Sequence, residues 1–453
     1  MILDPFHRRA GVLLHPTSLP AGTLADGERW LDFLQAAGLT LWQMLPLGIP
    51  QDDLSPYQSL SAFAVNPALL GEAPGEPDPH DPGFRAFCQA QAHWLDDYAL
   101  FAALKAHHRQ QPWYRWPQPL RDRHPEALAQ FQATAAADLL NLRWAQYRIH
   151  QRWQALRRRA REQGLVLFGD MPLFVAHDSA DVWACPRRFL LDDQGQPLWV
   201  AGVPPDYFSE TGQRWGNPHY DWDFHAAEGF RWWIERVDYL LEWFDLVRID
   251  HFRGLEAVWM IPAASPTAAD GHWQPVPGAA LLETLRGHLG RLPLVAEDLG
   301  TITPEVRALK ARFGLPGMAI LQFAFDHFDD NPNKPKNIGP DTVVYTGTHD
   351  NDTTRGWFES LDPGMQAHVR HELGIGPDDD VVQAMIRTAF NTRANLAVIP
   401  LQDYLGLGSE ARMNVPGVAA GNWRWRFAWS QLPADLAPRI HQQVEDAERS
   451  PTP

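Results

Sequence analysis

Eight short runs of apolar, largely β-branched residues recur along this chain, and they limit its possible folds more than any other feature. They begin as GVLLHPTSLP at Gly11, LTLWQMLPL at Leu39, LVLFGDMPLFVA at Leu165 and FDLVRID at Phe244. The series continues with LPLVAEDLG at Leu292, MAILQFAFD at Met318, TVVYTGTHD at Thr342 and NLAVIPLQD at Asn395. Near-continuous apolarity marks strands covered on both faces, which is the condition of a parallel sheet. Helix-length amphipathic stretches separate most of the runs and supply that cover. One helix announces both its ends: Thr303 is an N-cap, Pro304 stands at the first helical position, and Gly314 stops it. Eight strands alternating with helices predict a closed (β/α)8 TIM barrel. An open doubly wound sheet would use fewer strands and, for a dinucleotide, a G-x-G-x-x-G after the first one, which is missing.

The barrel is interrupted twice. Roughly a hundred residues part the second and third strands, too many for a plain loop. Their glycine-poor, Ala/Leu/Gln/Arg-rich composition from His93 to Gln163 predicts a mainly helical inserted subdomain, bounded at 74–163. Its closing run, Arg157-Arg158-Arg159 with Arg161, is expected to be a solvated helix face. Between the third and fourth strands lies WVAGVPPDYFSETGQRWGNPHYDW, read as part of a long loop insertion over the active site at 177–229. The whole is expected to be a single interrupted barrel over 1–450.

Composition excludes several classes. Apolar content of 45% and charged content of 21% fit a soluble globular protein. A formal net charge of −16 argues against nucleic acid and against an anionic membrane surface as partner. Two cysteines, Cys88 and Cys185, cannot build a disulfide framework or a Cys-rich zinc site, and a reducing compartment fits them. The N-terminal stretch lacks a signal-peptide pattern and no run reaches 18 apolar residues, so the expected address is the cytoplasm. Twenty tryptophans read first as large core rings, and second as platforms for a sugar. Nothing here assigns an oligomeric state.

The charged residues concentrate where the apolar runs end, and in such barrels the C-terminal strand ends build the site. Asp170 closes the third strand, Arg248 and Asp250 the fourth, Glu297 and Asp298 the fifth, and His349 and Asp350 the seventh. Side chains alternate along a strand, so Arg248 and Asp250 share the face turned to the barrel mouth, while Val247 and Ile249 face the helices. Three converging acids suit glycosidic bond chemistry: a nucleophile, a general acid for the leaving oxygen, and a third anion for the oxocarbenium-like transition state. Crowding raises the proton affinity of at least one of them, and Arg248 would keep the nucleophile ionised. Glu297 and Asp298 are adjacent, so one alone faces inward, and spacing does not choose. His349-Asp350-Asn351-Asp352 reads as a turn or a metal site, without the calcium-loop pattern. His177 and His251 read as hydrogen-bonded histidines rather than ligands.

VRIDHFRG, VAEDLG and VVYTGTHDNDTT, in this order, resemble the amylomaltase family, the 4-α-glucanotransferases or disproportionating enzymes of glycoside hydrolase family 77 in the α-amylase clan. SPYQSLSAFAVNP, GDMPLFVAHDSADVW, VAGVPPDYFSETGQRWGNPHY, RFGLPGMAILQFAFD and GSEARMNVPG carry the likeness over most of the chain; the helical insertion is least similar. The resemblance implies a retaining double displacement that moves α-1,4-glucan segments between maltooligosaccharides or amylose. Formation of cyclic glucans, where the acceptor is the chain's own end, is a further expectation. It implies Asp250 as nucleophile, Glu297 as acid/base and Asp350 as transition-state stabiliser, with no cofactor and no metal. It further implies Tyr57 and Ser55 in the Ser-Pro-Tyr turn, Arg248 and His349 around the donor sugar, Gln213 and Trp215 on the acceptor side, Asn414 beside the cleavage point, and Phe323 as an apolar wall. Where the family often places a second acid after FAFD, this chain has His327. A hydrolase of the same clan and a silent glucan-binding barrel are the competing readings.

Overall fold

In the computed structural model, which describes residues 6–205, 209–418 and 420–450, the apolar runs form eight parallel strands. They are β1 (Arg9–Leu13), β2 (Leu41–Gln43), β3 (Val166–Met171), β4 (Leu246–Ile249), β5 (Leu294–Ala296), β6 (Gly317–Ile320), β7 (Thr342–Tyr345) and β8 (Leu396–Pro400). Pairing runs β6-β7-β8-β1-β2-β3-β4-β5 without reversal. The two end strands then meet, with the Ala296 N–H donating to the Pro316 carbonyl at 2.8 Å. This is the expected barrel.

Period-two alternation sorts its side chains. Leu13, Leu41, Phe168, Leu246, Val295 and Val398 fill the interior, whereas Val12, Trp42, Leu167, Val247, Ile249 and Val344 pack outward. Each such burial stabilises by about 1.5–3 kcal/mol. Gly11 is needed for the approach of β1 to β2, since a Cβ there would lie 2.7 Å from Leu41 Cβ. The Thr303 hydroxyl caps helix Pro304–Arg312 by accepting from the Val306 N–H, and Gly314 beyond its end takes φ +63°. Both terminal signals read from the sequence are realised.

Helices follow seven of the eight strands, and helix Ala136–Glu162 delivers the chain into β3 after four shorter ones. The exception is β6, followed by 3-10 turns Leu321–Phe323 and Pro335–Asn337. Its continuation, NPNKPKNIGP, explains why: three prolines remove donors and asparagines favour turns. Asn331 and Asn337 instead hold that segment by donating to the carbonyls of Phe323, Asp329 and Asn331.

Two expectations need correction. The segment between β3 and β4 is more than a long loop, because it supplies two strands, Trp199–Val203 and Gln213–Pro218, of a separate antiparallel sheet. That sheet is completed by Ala257–Pro262 and His272–Pro275, a hairpin that follows β4. The arginine run is also not wholly solvated. Arg157 is buried and donates to the Phe244 carbonyl and to Asp245 at 2.9 and 3.0 Å, while Arg161 donates to Asp245 at 2.8 Å. Arg159 reaches Glu28 and Asp32 on the neighbouring helix. The run ties one long helix to helix Gly27–Ala36 and to the segment entering β4, because its apolar stems cover core while its charges find partners.

Candidate active site

Asp170, the last polar residue of β3, is 1% exposed and organises the floor of the barrel mouth. It accepts the Tyr57 hydroxyl at 2.7 Å and two contacts from one Arg248 nitrogen at 2.9 and 2.7 Å. The other terminal nitrogen of Arg248 donates to Asp250 Oδ1 at 3.0 Å. A buried guanidinium is thus shared by two carboxylates, the pairing that makes a buried charge tolerable. Asp170 carried the same strand-end signature as the other acids but was given no role from sequence.

Asp250 follows β4 directly, with its side chain 30% exposed. Burial pushes its carboxyl up to about 8 against the pull of Arg248, and the charges of Asp170, Glu297 and Asp350 add to the rise. Burial also raises Glu297. Crowding was expected to perturb these acids, and it contributes, but desolvation is the larger cause. Next in the chain, His251 takes φ +52°, the left-handed region that a non-glycine residue enters only at a cost. That turn aims the His251 N–H at Glu297 Oε2, 2.8 Å away, while Leu299 N–H reaches Oε1 at 3.0 Å. One backbone turn therefore connects the two acids.

Glu297 and Asp298 part company. Asp298 does not join the cluster; its oxygens go to the Met318 N–H at 2.8 Å and to Lys310. The backbone geometry separates what spacing could not.

Beyond β7 the HDND motif forms a turn closed by Asn351, whose side-chain oxygen accepts from both the Thr348 N–H and hydroxyl at 2.9 Å. Asp350 stands at its tip, the most open of the three acids at 48%. Asn414 donates to Asp350 Oδ1 at 2.6 Å, and His349 Nε2 lies 3.5 Å from the same oxygen. Arg412 clasps the turn from below, donating to the carbonyls of Asp350 and Asn414 at 2.7 and 2.8 Å. The sequence signal for Arg412 is its place in GSEARMNVPG, two residues before Asn414.

Aromatic groups wall this polar floor. Tyr57 stacks on His349 with centroids 5.4 Å apart, its hydroxyl 2.9 Å from His349 Nε2, and Trp423 tilts against both rings. Burial lowers His349, favouring the neutral imidazole. No motif or spacing sets Trp423 apart from the other nineteen tryptophans. Ser55 shapes the turn, its hydroxyl accepting the Tyr57 N–H at 3.3 Å. On the other side Trp215 meets His251 edge-on at 4.9 Å and donates its indole N–H to Gln213 at 3.1 Å. Phe323 is 46% exposed just after β6 and makes none of these contacts. His327 packs its ring against His368.

A profile of glycoside hydrolase family 77, described as 4-alpha-glucanotransferase, matches residues 13–73 and 71–431. The chain belongs to this 4-alpha-glucanotransferase family. Among its relatives, the 4-alpha-glucanotransferase of Thermus thermophilus is 46% identical over 98% of this chain and 99% of that protein. The Synechocystis enzyme of the same name is 44% identical over 94% and 95% respectively. Among solved structures, the Streptococcus agalactiae amylomaltase in complex with acarbose superposes with a TM-score of 0.93, 33% identity, 98% coverage of this chain and all of the other. An α-amylase of Lactobacillus plantarum, at a TM-score of 0.51 and 12% identity over 98% of this chain and 80% of the other, shares the fold alone. Membership in the 4-alpha-glucanotransferase family agrees with the barrel and with the resemblance carried by VRIDHFRG, VAEDLG and HDNDTT.

Proposed function

We propose that this protein is a 4-α-glucanotransferase that cuts an α-1,4 bond in a maltooligosaccharide or amylose and passes the retained segment to the 4-hydroxyl of an acceptor sugar. The observation that carries the role assignment is the direct link between two acids: the N–H following Asp250 donates to Glu297 at 2.8 Å. In the first step Asp250 attacks the anomeric carbon while Glu297 protonates the departing oxygen, and a β-linked glycosyl ester forms. In the second, Glu297 takes the proton of the incoming hydroxyl, the ester bond breaks and the α-1,4 bond is restored. Desolvation raises the proton affinity of both carboxyls, and Arg248, 3.0 Å from Asp250, favours the anion on the nucleophile.

Asp350 is read as the group that hydrogen-bonds sugar hydroxyls in the donor subsite, with Asn414 and His349 orienting it. Tyr57 offers the ring on which that sugar stacks. Gln213 and Trp215 face the acceptor, and drying by their sheet favours a sugar over water in the second step. Phe323 is read as an apolar rim. We read residues 74–163 as an inserted helical subdomain and 177–229 as the wall over the site, within one barrel. No helix among the described residues is long and apolar enough to cross a membrane. The two free cysteines suit the cytoplasm.

Incubation with maltotriose tests the assignment. Glucose together with oligomers longer than three units, at constant total reducing ends, is the expected product pattern. A steady rise in reducing ends would mark a hydrolase, and no turnover a binding protein.

A further inference from the structure

The ring of strands has one weak junction. Seven neighbouring pairs are laddered, but β5 and β6 stand at opposite ends of the sheet order. Among the described residues the direct backbone link across that junction is the bond from Ala296 N–H to the Pro316 carbonyl, 2.8 Å. Two backbone donors of β6, those of Met318 and Ile320, are satisfied by side chains instead. The Met318 N–H goes to Asp298 Oδ1 at 2.8 Å, and the Ile320 N–H goes to Asn333 Oδ1 at 2.9 Å. The second Asp298 oxygen holds Lys310, on the helix Pro304–Arg312 that connects the two strands. The place for this carboxylate is built into the opposite strand. A Cβ on Gly317 would lie 2.5 and 2.7 Å from the two Asp298 oxygens and would also crowd Lys310 Nζ, so glycine leaves room for the acid and its lysine.

We infer that Asp298 is a positioning residue, a latch that stands in for the missing backbone ladder between β5 and β6 and thereby fixes Glu297. The inference rests on the reading of Glu297 as acid/base. On its β4 side Glu297 is already tied, its N–H donating to the Ile249 carbonyl and its carbonyl accepting from the Phe252 N–H, both at 3.1 Å. Toward β6 the tip of β5 is held through Asp298. Two adjacent acids therefore divide the work: one faces the substrate, and its neighbour secures the strand end from outside. Proton delivery to a leaving oxygen depends on placement, and a displacement of about 1 Å can cost on the order of 10²-fold in rate.

The test compares Asp298→Asn, Gly317→Ala and Glu297→Gln on two donors. Maltotriose needs its leaving sugar protonated; α-maltosyl fluoride does not, and its first-turnover fluoride release reports nucleophilic attack alone. Gly317→Ala keeps every carboxylate in the sequence and crowds Asp298 and Lys310 out of their seat, so it serves if Asp298→Asn folds poorly. Asp298→Asn and Gly317→Ala are each expected to lower kcat on maltotriose about 10- to 100-fold with KM within about 2-fold, while the fluoride burst stays within about 3-fold of wild type. Glu297→Gln should show the same selectivity, larger. Equal losses on both donors in Asp298→Asn and Gly317→Ala, or no loss on either, overturn the latch while Glu297→Gln still behaves as an acid/base variant. Should Glu297→Gln lose both donors equally, the acid/base reading fails and takes the latch's function with it.

Discussion

Replacing Asp250 by asparagine should destroy activity yet stabilise the fold, and the size of the gain follows from the site. An ordinary aspartate ionises near 3.9, whereas burial holds Asp250 up to about 8. Between these limits the native protein keeps a proton that the unfolded chain has released, so stability falls as pH rises through the window. For a group titrating alone, a rise of about four units corresponds to roughly 5–6 kcal/mol at 1.36 kcal/mol each. Glu297 takes part in the same titration, so asparagine at 250 recovers only part of that cost. Two further features shrink what asparagine recovers. The side chain is 30% exposed, and Arg248 loses an anion at 3.0 Å while keeping Asp170. A net gain of about 1–3 kcal/mol above pH 8 remains, vanishing below about pH 4. With unfolding entropy of about 2.1 cal/mol/K per residue, 453 residues convert that to a Tm rise of about 1–3 °C. Urea unfolding of variant and wild type from pH 4 to 9 measures the gap directly. A gap that stays constant with pH, or an asparagine variant less stable than wild type at pH 8, would refute the burial argument. Disproportionation of maltotriose by the same variant should fall on the order of 10³-fold or more.

Other outcomes can be stated from the same contacts. Tyr57→Phe removes a hydroxyl lying between Asp170 and His349 at 2.7 and 2.9 Å, and should cost about 1–2 kcal/mol, read as a roughly 5- to 30-fold fall in kcat/KM. Trp215→Ala opens the acceptor wall, and the ratio of transfer to hydrolysis, followed by chromatography of oligomers against total reducing ends, should drop several-fold. Asp403 accepts from Thr346 and Thr354 at 2.6 to 2.7 Å at both ends of the turn that carries Asp350; Asp403→Ala should lower both Tm and kcat, the latter about tenfold. Arg449 is fully buried and spends its donors on the carbonyls of Phe390, Arg9, Asn395, Thr392 and Ala394, so Arg449→Met should destabilise by about 3–5 kcal/mol in urea unfolding without changing product pattern.

The barrel was legible because each parallel strand is a short sequence covered on both sides, which writes itself as an apolar run. The four-stranded sheet was not. Trp199–Val203 pairs with Ala257–Pro262 on the far side of β4, and its glycine, proline and tryptophan content looks like loop. The inward polar face of β4 followed from alternation alone, as did the separation of Arg248 and Asp250 from Val247 and Ile249. What alternation could not supply was the choice between Glu297 and Asp298, because it depends on which acid meets Lys310 and the Met318 N–H of the neighbouring strand. Arg157 misled for a related reason: an arginine run reads as solvated until a partner such as Asp245, distant in sequence, is in view. Trp423 belongs to a stretch whose meaning lies wholly in what it folds against.

The central claim is that Asp250 becomes covalently bonded to the sugar. A slow 2-fluoro glycosyl fluoride donor, followed by peptide mapping of the trapped protein, addresses it without kinetic inference. The account predicts a single added sugar on the peptide that contains Asp250, absent in Asp250→Asn. A stable label on any other residue would contradict it.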